Sequence, residues 1–230
     1  MRETDLLIDK DKATVRGQTV EVLRLAIVSG RFRPGQHLVE RELCRLLGVG
    51  RTSVREAVRQ MEAEGLLTSV PHRGIEVSRI TPEEAEQLYA LRALLEGYSG
   101  RRCAQNATPD FMDAFDRAVE AFAVVAHQNG SAEMIEAKAA IYELLMSGSG
   151  NSFVRQTLTS MHNRINLLRF TSMAQPGRPE RSVAEIREIA RAIRARDPDR
   201  AERACRRHIE EAAKVAIDCM KSGAIREISV

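Results

Sequence analysis

The sequence predicts a mainly α-helical protein in two parts. Residues 1–80 read as a head of three short helices closed by a hairpin, and residues 81–230 as an antiparallel bundle of six helices. Three observations predict this. Apolar residues recur at helical spacing through most of the chain. From residue 81 onward helix starts are marked by a capping residue, a proline and an acid. Two short alternating runs, Leu66 to Val70 and Gly74 to Ser78, sit side by side around Pro71-His72-Arg73, as a small hairpin requires.

Taken in order, Thr14 to Ser29 carries Val20, Leu23, Ala26 and Ile27 on one face, and Gly30 suits a left-handed helix end. Arg33-Pro34-Gly35-Gln36 is a turn. Val39 to Leu47 is a second helix, with Leu43, Leu46 and Leu47 apolar. Gly48-Val49-Gly50 is a tight turn, and a third helix begins at Arg51 or Thr52, with Val54, Ala57, Val58 and Met61 inward and Gly65 as its stop. In the second part, Thr81-Pro82-Glu83-Glu84, Thr108-Pro109-Asp110 and Asp197-Pro198-Asp199 open helices, as do Ser131-Ala-Glu and Asn151-Ser152. Ser182-Val-Ala-Glu185 reads as a capping box. The six helices then cover about 82–105, 109–128, 132–147, 152–173, 183–195 and 198–222, and short loops make successive helices antiparallel neighbours.

Composition narrows the function. With 43% hydrophobic and 29% charged residues the chain is globular. No charge-free stretch exceeds twelve residues, too short for a membrane span. Met1-Arg-Glu-Thr-Asp has no apolar run of a secretion signal, and Cys44, Cys103, Cys205 and Cys219 form no C-x-x-C pair. Reduced thiols in a cytoplasmic protein are the expectation. The absence of Trp and the few aromatics argue against stacking platforms for single strands. The net charge of +3 lies in the head, which holds 14 basic against 11 acidic residues, while residues 81–230 hold 21 of each.

A helix, a glycine turn, a second helix and a hairpin make a winged helix-turn-helix. The second helix can enter the major groove with its leading residues on the bases. That leading edge is Gly50-Arg51-Thr52-Ser53-Val54-Arg55. Arg51 and Arg55 project from one face and can pair bidentately with guanine; Thr52 and Ser53 offer hydroxyls; Gly50 permits close backbone approach. Arg73-Gly74 at the hairpin tip can reach the adjacent backbone or minor groove.

Three stretches in the head, Gly30-Arg-Phe-Arg-Pro-Gly-Gln-His-Leu-Val-Glu-Arg-Glu-Leu, Leu47-Gly-Val-Gly-Arg-Thr-Ser-Val-Arg-Glu-Ala and Glu64-Gly-Leu-Leu, closely resemble the GntR superfamily of bacterial transcription regulators. In the second part, Tyr89-Ala-Leu-Arg92-Ala-Leu-Leu-Glu96-Gly, Ser149-Gly-Asn151 and Ala195-Arg-Asp197-Pro-Asp-Arg-Ala201 resemble the FCD effector domain of the FadR type, and six helices point to its VanR-like branch. By position, the resemblance implies DNA contacts at Arg41, Arg51, Thr52, Ser53, Arg55 and Gly74.

Many domains of that type hold a divalent metal through one Asp and three His. Counting back from Gly150-Asn151 puts Lys138 at the Asp position and Tyr142 at the first His; Ile186 follows Glu185 where the next His belongs, and His208 alone is in register. Three of the four ligands are thus replaced, by an ammonium, a phenol and a hydrocarbon; the ammonium repels a cation and isoleucine cannot ligate at all, so no metal and no other cofactor is expected. Lys138 either holds the carboxylate or phosphate of an effector directly or pairs with a bundle acid such as Glu96. Arg92, Tyr142, Arg164 and His208 complete the expected effector site.

The function expected is a ligand-responsive transcription regulator, a repressor that binds a short palindromic operator as a homodimer and answers to a small anionic metabolite. The alternatives are a metal-free regulator sensing an acyl-type ligand and a constitutive DNA-binding protein with a structural bundle. An enzyme would need a nucleophile–base pair or a metal, and the sequence offers neither.

Overall fold

The computed structural model describes residues 15–28, 31–70, 74–126, 132–173 and 175–222. The chain divides into two compact units, Met1–Arg79 and Ile80–Val230. In the first, α1 (Val15–Val28), α2 (Glu40–Leu47) and α3 (Arg51–Ala63) accompany the strands β1 (His37–Leu38), β2 (Leu67–Val70) and β3 (Gly74–Val77). The helical spacing of α1 buries Val20, Leu23 and Ile27 against the inward face of α3, where Val54, Ala57, Val58 and Met61 are all buried. Arg24 of α1 holds both carboxylate oxygens of Glu64, at 3.0 and 2.7 Å, which ties α1 to the end of α3.

The wing is a three-stranded antiparallel sheet in the order β1-β3-β2, where two strands were expected. His37-Leu38 is too short to show alternation, but Gly35, at φ 78°, turns the chain so that this pair lies alongside Glu76 and Ile75. Gly30 and the tip Pro71-His72-Arg73 lie outside the described residues.

The second unit holds α4 (Pro82–Asn106), α5 (Pro109–Val125), α6 (Ala132–Gly148), α7 (Ser152–Met173), α8 (Arg178–Arg194) and α9 (Pro198–Lys221). Thr81 and Glu84 close a full capping box on α4, and Thr108 and Asp197 cap α5 and α9 through backbone N–H groups of Phe111 and Arg200. Asn151 does the same for α7, accepting from the N–H groups of Phe153 and Val154 at 3.0 and 3.2 Å. Ser131 lies outside the described residues.

Helix α8 corrects the expected boundary. It starts at Arg178, behind Gly177 at φ 70°, with Pro179 in its first turn. Proline belongs there because its missing N–H has no helical partner to lose. Ser182 is therefore not a cap: it lies within the helix, fully buried.

Helices α4 and α9 form the tightest pair. A Cβ added at Gly100 would fall 2.4 Å from Cys205 Sγ and 3.1 Å from the Ala201 carbonyl, and one at Gly97 would meet Arg206 Cγ at 2.9 Å. The main core contains Phe115, Phe122, Met134, Met173, Ile186 and Ile193. Among the described residues no helix is long and apolar enough to cross a membrane.

Candidate nucleic-acid interface and bundle interior

Helix α3 begins at Arg51 with extended Gly50 as its N-cap and no acid in its first turn. The positive end of its dipole is thus uncompensated by the helix itself, which favours phosphate. Its inward face fills the core, so Arg51, Thr52, Arg55 and Arg59 stand exposed and Ser53 half-buried. On α2, Arg41 and Arg45 are exposed as well. Gly48 closes α2 at φ 65°, its N–H donating to the Cys44 carbonyl. Gly74 opens β3 at φ 85°, exposed, in a backbone region that strains any side chain. Arg73 lies outside the described residues. The structure adds Glu40, which sequence reading missed: both its carboxylate oxygens accept from Arg55 Nε at 3.1 Å, holding that guanidinium across the front of α2 and α3.

The bundle interior is polar in a way its sequence only partly announces. Arg92, Lys138, Tyr142 and His208 are all buried. Arg92 donates to Glu96 Oε1 at 2.8 Å, with its guanidinium carbon 5.1 and 5.6 Å from the Tyr89 and Tyr142 ring centroids. Glu96 is thus the partner of Arg92. Burial works against the charge of Arg92, and the Glu96 carboxylate outweighs it, so the guanidinium stays firmly protonated. Lys138 donates to Ser182 Oγ at 2.9 Å and lies 3.1 Å from Met173 Sδ.

Tyr142 Oη is 2.8 Å from His208 Nε2, while His208 Nδ1 meets Glu185. Arg178 grips the same carboxylate with two hydrogen bonds, at 2.8 and 2.9 Å. Burial would raise the Glu185 pKa, but hydrogen bonds from His208 and Arg178 hold it down at about 2. Burial, with the charges of Lys138 and Arg178, depresses His208 to about 3. A neutral imidazole beside an ionised carboxylate fixes the tautomer: Nδ1 donates to Glu185 and Nε2 accepts from Tyr142.

This donor set does not fit a divalent metal. Both nitrogens of His208 are engaged, Lys138 brings a positive charge, and Ile186 is a buried hydrocarbon. Among the described residues no cluster of three or more His, Cys, Asp or Glu side chains could hold one.

Arg164 on α7 is exposed, unlike the other four expected effector residues. Arg178, Ser182 and Glu185 were missed as a set because the helix was expected to start later. Their spacing of four and three puts them on one face once α8 begins before Pro179. The thiols take no part: burial pushes Cys103 up to about 12 and Cys205 well above its ordinary value.

A winged head with an arginine-led helix, followed by an all-helical domain with a polar interior, defines a DNA-binding transcription regulator rather than an enzyme. The chain belongs to the bacterial regulatory proteins of the gntR family, whose model matches residues 16–77, with an FCD domain over residues 87–211. It is 31% identical over 146 residues to the Nta operon transcriptional regulator of Aminobacter aminovorans, spanning 62% of this chain and 68% of that one. It is 28% identical over 199 residues to the "Probable D-xylose utilization operon transcriptional repressor" of Paenarthrobacter nicotinovorans, spanning 86% and 87% of the two chains. The crystal structure of a GntR regulator from Rhodococcus sp. RHA1 superposes with a TM-score of 0.75 over 88% of this chain and 97% of that one, and at 23% identity that likeness speaks for the fold.

Proposed function

We propose that this regulator is a repressor that binds a short palindromic operator as a homodimer and is governed by a small anionic effector held in its bundle. Residues 1–80 serve as the DNA-binding domain and residues 81–230 as the effector-binding and dimerisation domain. DNA recognition runs through Arg41, Gly50, Arg51, Thr52, Ser53, Arg55, Arg73 and Gly74. The exposed arginines at the uncapped positive end of α3 support this reading. Two-fold symmetry places two such helices one helical turn apart on a palindrome.

The observation that carries the effector reading is the charge of the bundle interior. Among the described residues three cationic side chains, Arg92, Lys138 and Arg178, are buried there with the Glu96 carboxylate, and Glu185 is half-buried beside them. A small organic acid or phosphate suits an interior lined by such cations. Arg92 is engaged by Glu96 and two tyrosine rings, and Lys138 by Ser182 and Met173; the anion is assigned chiefly to Lys138, with Tyr142 and His208 lining its site. Such a ligand changes DNA affinity only by binding one arrangement of the dimer better than another.

The test is mass spectrometry of small molecules released from the purified protein, followed by anisotropy on an operator selected from genomic DNA. An acidic metabolite that shifts operator affinity supports the reading. A neutral acyl ligand, or operator binding that no released compound alters, contradicts it.

A further inference from the structure

We propose that Glu40 is a specificity-determining residue of the operator contact: it turns the end of the Arg55 guanidinium toward a guanine and keeps that arginine from serving as a general phosphate contact. The proposal rests on α3 being the recognition helix. Arg41, Arg45, Arg51, Arg55 and Arg59 all stand exposed on α2 and α3. Among the described residues Arg55 alone of these has a carboxylate within ion-pair distance. Its partner lies 15 residues away on the other helix, so the pair does not follow from spacing along one helix. Glu40 is the first residue of α2, behind extended Val39, where the positive end of the helix favours a carboxylate. Leu43, one turn on, is buried and holds that end of α2 in place. An exposed ion pair adds little to stability, so the contact does little for the fold.

The atoms engaged decide what the contact does. Both carboxylate oxygens accept from Nε of Arg55, each at 3.1 Å. A guanidinium carries five N–H groups in one rigid plane. With Nε–H occupied, Nη1 and Nη2 remain at the far end of the side chain, and their parallel donors match O6 and N7 of guanine in the major groove. The Arg55 side chain stays 61% exposed beyond the contact. A lone exposed arginine must be ordered as it binds, and one already held by a carboxylate has less freedom to lose. Charge has a second effect. Glu40 offsets the positive charge of Arg55 and is itself repelled by phosphate, so the pair adds less to sequence-independent binding than a bare arginine does. Arg51, one turn earlier on α3, has no such partner among the described residues and keeps its full charge. Arg55 is thus tuned to discriminate and Arg51 to attract.

The full chain is tested by fluorescence anisotropy on the selected operator and on a scrambled duplex of the same length, over a range of salt concentrations. Glu40→Ala is expected to weaken operator binding about five- to tenfold and to tighten binding to the scrambled duplex, with preference lost at the base pair that Arg55→Ala also ceases to read. Its salt dependence on the scrambled duplex is expected to steepen by up to about one ion. Glu40→Gln, neutral and of the same shape, is expected to move both affinities in the same directions by less, which separates charge and geometry from lost packing. In an Arg55→Ala background, Glu40→Ala is expected to cost nothing further on the operator. Equal losses on both duplexes, or an unchanged ratio of operator to scrambled affinity in both Glu40 variants, overturns the proposal and leaves α3 as the recognition helix. A full loss from Glu40→Ala in the Arg55→Ala background overturns it as well. Wild-type base preference in Arg55→Ala overturns both the proposal and the base-reading role of Arg55 on which it rests.

Discussion

The hydroxyl of Tyr142 lies 2.8 Å from Nε2 of His208 and occupies the ring nitrogen that a metal ion would need. Together with the Glu185 contact on Nδ1 it turns a lone in-register histidine into a neutral link between a phenol and a carboxylate. The purified protein is accordingly expected to carry no stoichiometric zinc, nickel or manganese by elemental mass spectrometry, and its melting temperature is expected not to move with EDTA. A stoichiometric metal lost on Tyr142→Phe or His208→Ala substitution would contradict this assignment.

Lys138→Met keeps much of the side-chain length and removes the charge. By calorimetry it is expected to weaken a carboxylate or phosphate effector by about 1.5–3 kcal/mol, the scale of a charged hydrogen bond. Full-strength binding would show that the lysine is structural and leave the anion to another cation.

Acid is expected to destabilise the bundle through His208. Its folded pKa of about 3 lies below the ordinary 6.5, so the unfolded chain takes up a proton in that window and the folded one does not. The stability this contributes is present above pH 6.5 and drains away as pH falls toward 3, at up to about 1.4 kcal/mol per pH unit. Glu185, also depressed, adds to the loss below its ordinary 4.5. In urea unfolding between pH 7 and 5, His208→Gln is expected to show a flatter profile than wild type. Parallel profiles would place the imidazole outside the titration.

Gly100→Ala is expected to destabilise the second unit by about 1–3 kcal/mol, the usual cost of overpacking. The new Cβ would meet Cys205 Sγ and the Ala201 carbonyl, one a buried side chain and the other backbone. Thermal unfolding reads the change, and an unaltered midpoint would mean that α4 and α9 can separate at no cost.

Much of this was legible in the chain. The capping signatures at Thr81, Thr108 and Asp197 announced their helices because each side chain accepts a backbone N–H that nothing else could satisfy. Helical spacing marked the inward faces of α1 and α3 for the same reason that buries them. The third strand was not legible, because two residues cannot display a period. Ser182 misled because a serine three residues before a glutamate also occurs inside a helix, where its hydroxyl here meets Lys138. The partnership of Arg92 with Glu96 was within reach at a spacing of four. The link from His208 to Glu185 spans 23 residues and two helices, and only the packing of α8 on α9 creates it.

The central claim, that this regulator reads its operator through the first turns of α3, is tested most directly by fluorescence anisotropy of the full-length protein on a selected operator, with Arg51→Ala and Arg55→Ala alongside wild type. Each substitution is predicted to weaken specific binding by about 1–3 kcal/mol and to relax preference at one base position in each half-site. Wild-type affinity and wild-type sequence preference in both variants would contradict the assignment of α3 as the recognition helix.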